Sequence, residues 1–174
     1  MINFNLKKNM YKGGFTLLEL LLYIAILGIL MVVISNMFIS LSKGSGQSQA
    51  RNEVDTSIRF ATELLRQDIK NASSISVPAS GGSSSTLTLI RNSTTIVYDI
   101  SAGVLRRQEG VASPVSVTNP NITVSTPTFT RIENINTLFS RTNIAIKINM
   151  TFGYNSTSPD WSYSTSLQTT VNVY

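Results

Sequence analysis

"KGGFTLLELLLYIAILGILMVV" spans residues 12–33 and holds a single acidic side chain, Glu19, near the start of a run otherwise fit for the interior of a lipid bilayer. From Phe15 to Leu41 the only polar interruptions are Thr16, Glu19, Ser35, Asn36 and Ser40. A helix needs about 20 residues to cross a bilayer, so this run predicts one spanning helix. Lys7, Lys8 and Lys12 precede it and Lys43 follows alone. The positive-inside tendency therefore puts the N-terminus in the cytoplasm and the rest of the chain across the membrane.

A secretory signal peptide shares the basic start, but its apolar core is about 7–15 residues long and a small-residue cleavage site follows it. Here the core is too long, and the small pair Gly13-Gly14 lies ahead of it. Gly14 offers no side chain to obstruct an approach to the backbone. A carboxylate in apolar surroundings needs a partner, because an isolated charge there costs several kcal/mol. Within its own helix Glu19 has no cation to look to, and can reach headgroup water about one turn away. Ala25 and Gly28 suit close helix contact, and equally suit a helix with no partner.

The 174 residues allow one ordinary domain plus an appendage. The absence of Cys and His removes thiolate nucleophiles, Cys/His zinc sites and His-based proton transfer. The net charge of +5 owes much to the three early lysines; without them eleven cations face nine carboxylates. No basic patch with interleaved aromatics follows, so no nucleic-acid partner is expected. Asp99 and Asp160 stand isolated, which argues against a calcium site. The expectation is no catalytic residue, no metal, no cofactor and no enzyme activity.

After the apolar run, Lys43-Gly44-Ser45-Gly46 predicts a bend or frayed turn. Helical spacing then resumes: Val54, Ile58, Ala61, Leu65 and Ile69 share one face, and charged residues such as Glu63, Arg66 and Lys70 cover the other. Past Asn71 the period becomes two. Candidate strands are Thr86–Arg91, Thr95–Ile100, Val104–Gln108, Val115–Thr118, Ile122–Ser125, Thr128–Arg131, Ile144–Phe152 and Leu167–Tyr174. "TIVYDISAGVLRRQEG" (95–110) reads as a hairpin turning at Ser101-Ala102-Gly103, with Arg106 and Arg107 as protective charge on an edge or exposed strand. Trp161 and Tyr163 form either a recognition loop or aromatics tucked onto the core.

Lys12-Gly13-Gly14-Phe15-Thr16-Leu17-Leu18-Glu19 closely resembles the prepilin processing site of type IV pilins and type II secretion pseudopilins. The resemblance implies that a prepilin peptidase cuts between Gly14 and Phe15 and methylates the new amino group of Phe15. It further implies that Glu19 pairs with the N-terminal amine of a neighbouring subunit as helices stack into a filament. Major pilins often carry a proline about twenty residues into the mature helix; Ser35-Asn36 stands there instead, so local melting of the helix is not implied. The order of "LLRQDIKNASSI" (64–75) and the 95–110 hairpin resembles J-type minor pseudopilins.

The expected fold is α+β: a long N-terminal helix, membrane-spanning in its first half, packed on a C-terminal antiparallel β-sheet. Its expected parts are a leader (1–14), a transmembrane and filament-core helix (15–42), an amphipathic continuation (43–73) and a β-rich head (74–174). The implied function is a minor pilin or pseudopilin that initiates, or forms the tip region of, a type II secretion pseudopilus or type IV pilus. The implied partners are the prepilin peptidase, other major and minor pilins or pseudopilins, an inner-membrane assembly platform and the membrane itself. The implied location is the bacterial inner membrane, single-pass, with the head periplasmic. The alternatives are a pilus-tip subunit that binds DNA or a surface, and an unprocessed single-span membrane protein.

Overall fold

The structure is a computed structural model that describes residues 14–136 and 141–173. The expected leader, apart from Gly14, lies outside the described residues. The chain divides into two compact units, Met1–Ser42 and Lys43–Tyr174. Helix α1 (Leu17–Lys70) contributes to both.

In the first unit the large apolar side chains from Leu17 to Leu41 are exposed. That stretch is long and apolar enough to cross a membrane, and lipid is the medium in which such exposure costs nothing.

In the second unit, α1 buries Gly46, Ala50, Val54, Ser57, Ala61, Leu65, Asp68 and Ile69. Steps of three and four keep these on one face. Ile58 is only partly buried, whereas Asp68, a charged residue, is 2% exposed. Helical geometry continues through Gly44 and Gly46, where the glycines predicted a bend or frayed turn. At Gly46 the reason is close approach: a Cβ there would fall inside the Trp161 indole.

The head holds β1 (Ser74–Val77), β2 (Ser83–Ser84), β3 (Leu87–Arg91), β4 (Thr94–Ser101), β5 (Val104–Glu109), β6 (Val115–Ser116), β7 (Ile122–Asn136), β8 (Arg141–Tyr154) and β9 (Ser164–Asn172), with a 3-10 turn at Pro159–Trp161. All pairings are antiparallel. The single expected sheet is in fact two, ordered β1-β3-β4-β5-β6 and β2-β7-β8-β9. Hydrogen bonds cross between them: Arg131 of β7 donates to the Ile75 carbonyl of β1 at 2.8 Å, and the Val124 N–H donates to the Gly103 carbonyl at 2.7 Å.

Ile122–Ser125 and Thr128–Arg131, expected as separate strands, belong to one strand whose register shifts between Ser125 and Thr128. Pro127 lies at the shift, and proline has no N–H to give the ladder, so the strand bulges there instead of ending. The 101–103 turn is as expected: Ala102 and Gly103 both have positive φ, 50° and 77°, the geometry of a two-residue hairpin that keeps the native twist. A second such turn joins β3 and β4 through Asn92 (φ 47°) and Ser93 (φ 67°).

The core combines the helix face with Leu87, Leu89, Ile96, Tyr98, Leu105, Phe129, Ile146, Ile148, Met150 and Phe152, all fully buried. Each such side chain contributes about 1.5–3 kcal/mol through removal from water. Ile144, Ile146, Ile148 and Met150 share the inner side of β8 as their alternation predicted, with Ile144 partly buried.

One polar network crosses this core. Asp68 accepts the Tyr98 hydroxyl at 2.6 Å, Arg107 Nε at 2.6 Å and Arg91 Nη1 at 2.9 Å. Glu109 receives the other ends of both guanidiniums at 2.8 Å. Arg107 is thus no protective surface charge: it pins α1 to β5. The Asp68 hydrogen bond raises the Arg107 pKa, the Arg107 hydrogen bond holds Glu109 below the usual carboxylate range, and burial, then Asp68, pushes the Tyr98 hydroxyl up. Asp99 is not isolated, since Arg106 faces it across β4 and β5 and pairs with it. Asp160 pairs with Lys43 at 3.2 Å.

Candidate functional site

The sequence directs attention to the start of α1. Residues 14–16 are not helical and Leu17 begins the helix. The Thr16 hydroxyl accepts the Glu19 N–H at 3.3 Å, and the Thr16 carbonyl accepts the N–H groups of Glu19 and Leu20 at 3.1 Å each. Thr16 is therefore the N-cap, and Glu19 is the third helical residue. Threonine followed three residues later by glutamate is a capping-box pattern, here set inside an apolar run. A carboxylate in the first turn also meets the positive end of the helix dipole, worth about 0.3–1 kcal/mol.

The Glu19 carboxylate accepts the Tyr23 hydroxyl at 3.3 Å, one turn on. The Tyr23 ring in turn meets Phe15 edge-on, with centroids 6.0 Å apart and planes at 68°. Phe15, Glu19 and Tyr23 thus form one patch, with Tyr23 touching the other two. Among the described residues no cation pairs with Glu19.

Gly14 and Phe15 are exposed, and among the described residues nothing lies within 4 Å of where a Gly14 side chain would start. The peptide bond between them sits in non-helical backbone just ahead of the first turn. Such backbone is open to a hydrolytic enzyme in a way that a hydrogen-bonded helix is not.

Residues 9–35 match the family model described as the prokaryotic N-terminal methylation motif. This is a prepilin-type amino terminus. The match covers Lys12, the glycine pair, Phe15, Glu19 and most of the apolar run. With the long apolar helix and the antiparallel head, it makes the chain pilin-like in both sequence and fold. The motif implies processing by a peptidase. Neither curated proteins nor solved structures yield a match.

In the head of this pilin-like chain the aromatics flagged in the sequence lie against α1. Trp161 covers Gly46 while remaining 41% exposed, and Tyr163 packs on the core beneath the Arg51 guanidinium, 5.7 Å from its ring centroid. A groove of ≈ 680 Å³ runs beside the 45–60 segment of α1, with Phe60 and Val117 in its wall. Its one carboxylate, Glu53, is held by the amides of Gln49 and Asn121, each at 3.1 Å.

Proposed function

We propose that the chain is a minor pilin or pseudopilin subunit, cut between Gly14 and Phe15 and methylated on the new amine, that joins the initiating or tip region of a pilus or secretion pseudopilus. The observation that carries this reading is the methylation motif seated on an exposed, non-helical Gly14–Phe15 bond directly ahead of Glu19. Cutting there places a positive amine at a helix start, where the dipole opposes it. A carboxylate must compensate. Glu19 of a neighbouring subunit supplies one, and the pairing fixes how far one helix is displaced along the next. The lysines ahead of the apolar run favour an N-terminus in the cytoplasm and a head across the membrane. The chain has no catalytic role on this reading; other pilins, pseudopilins and a membrane assembly platform are its partners.

The test is intact mass and N-terminal sequencing of the protein recovered from membranes that contain a prepilin peptidase. The expected product begins at N-methylated Phe15, and Gly14→Leu leaves a precursor longer by the fourteen leader residues. Among the described residues nothing lies within 4 Å of a Cβ added at Gly14, so the substitution reports on processing and not on folding. A chain beginning at Met1 in both proteins overturns the reading in favour of an ordinary single-span membrane protein.

A further inference from the structure

The 3-10 turn Pro159–Trp161 meets α1 just past the apolar run. Asp160 pairs with Lys43 at 3.2 Å, and Lys43 is the second residue after Leu41. The Trp161 indole lies on Gly46, the first buried residue of α1. Helical geometry is continuous from Leu41 to Gly46, so at a rise of about 1.5 Å per residue the two contacts fall about 3 Å and about 7.5 Å beyond Leu41. A bilayer has about 30 Å of hydrocarbon within a total of about 40–45 Å, which leaves a headgroup layer about 5–7 Å deep on each side. With the apolar run in lipid, the turn is level with that layer.

We propose that Trp161 is an interfacial anchor, its indole seated in the headgroup layer of the bilayer that α1 crosses. The chemistry of the turn suits that place. From Tyr154 to Leu167 the one charged residue is Asp160, and Lys43 neutralises it. The atoms closest to a Cβ position at Gly46 are Nε1, Cε2 and Cδ1, so the indole meets the helix by its five-membered ring, and yet Trp161 stays exposed. Covering Gly46 accounts for one side of the ring only. A ring that is apolar in its body and polar at one N–H concentrates at the membrane–water boundary, where tryptophan is enriched.

The length of the run points the same way. Leu17 to Leu41 makes about 37 Å of helix against about 30 Å of hydrocarbon, and such an excess is taken up by tilt, whose direction is set by interfacial Trp, Tyr, Lys and Arg. A tilt lowers one side of the helix toward the membrane surface. Lys43 and Gly46, three residues apart, share a side of α1, so the ammonium and the indole favour lowering the same one. The inference rests on α1 crossing a membrane and is independent of processing at Gly14.

Trp161 is the one tryptophan, so its emission reports the site without any substitution. The full-length protein, reconstituted at low density in phosphatidylcholine vesicles, is first floated on a density gradient. A chain that does not float with the vesicles overturns the spanning helix and this inference with it. In floated vesicles the expected result is a loss of Trp161 emission when the lipid carries bromine near the glycerol end of its acyl chains, and a smaller loss when the bromine lies near the methyl end. Aqueous acrylamide is expected to quench Trp161 less in vesicles than in urea-unfolded protein. Equal emission in plain and brominated lipid overturns the anchor alone, whether acrylamide reaches the indole or the protein itself shields it. Stronger quenching from the methyl end overturns it too, since the indole would then lie in the hydrocarbon.

Discussion

Asp68, on the helix, accepts the Tyr98 hydroxyl of β4 at 2.6 Å, with both side chains withdrawn from water. The same carboxylate holds Arg91 and Arg107, so removing its charge leaves two guanidiniums with Glu109 as their one carboxylate. Asp68→Asn is expected to lower head stability by about 3–5 kcal/mol, the scale of a broken buried pair. Urea unfolding followed by the fluorescence of Trp161, the one tryptophan, measures it. A loss under 1 kcal/mol would show that the network is dispensable.

The same groups set the pH range. The folded Glu109 pKa is lowered by Arg107 and that of Glu133 by Ser80, so their stabilisation is complete above the unfolded value near 4.3 and is lost as pH falls. The Tyr98 pKa is raised, so its contribution is complete below about 10 and is lost as pH rises. Stability is expected to be flat between about pH 5 and 9 and to fall on both sides. Urea midpoints against pH check this, with Glu109→Gln flattening the acid limb and Tyr98→Phe the alkaline one.

Two glycines on one helix should respond oppositely to alanine. Gly46→Ala drives a methyl into the Trp161 indole and should cost about 1–3 kcal/mol, the range for overpacking, with a shift in Trp161 emission. Gly44 has open space around its Cβ position, so Gly44→Ala should gain up to about 1 kcal/mol from helix propensity alone. Thermal melts of the two proteins in detergent distinguish the effects.

At the β3–β4 turn, Ser93 holds φ 67°, a conformation that costs an L-residue about 1–2 kcal/mol. Ser93→Gly creates the Asn-Gly pair that such turns favour and is expected to raise stability by about 1 kcal/mol. An unchanged melting temperature would count against strain at this position.

At the amino terminus, Glu19→Gln keeps a side chain able to accept from Tyr23 but cannot neutralise a neighbouring amine. The expected result is normal cleavage and methylation at Phe15 with at least tenfold less protein in sheared filaments. Undiminished incorporation would leave Glu19 as no more than a helix-cap residue.

The helix, the β-rich head and the 101–103 turn could be read in the sequence because each rests on local pattern: an apolar run, a period of three to four, a period of two, and a glycine where φ turns positive. The division into two sheets could not, because it depends on which strands meet across long stretches of chain. Pro127 looked like a strand end because its missing N–H is a local fact, while the bulge that accommodates it depends on β8. Asp68 stood out in no pattern, since nothing within its helix reveals that Arg91, Arg107 and Tyr98 converge on it. At the amino terminus the residues were legible from the start, but the roles of Thr16 and Tyr23 were not. Thr16-Leu17-Leu18-Glu19 carried the capping signal within an apolar run that drew the reading elsewhere.

The head's core takes Val54 from early in the chain and Val171 from near the end of the described residues. Contacts so far apart in sequence close large loops before they yield any stabilisation, which makes folding slow, in the millisecond-to-second range of β-rich topologies. A truncation ahead of β9 therefore removes the final layer of the core as well as an edge. During synthesis the apolar helix emerges long before the strands that complete the head, so the segment able to cross a membrane is complete before the head can close.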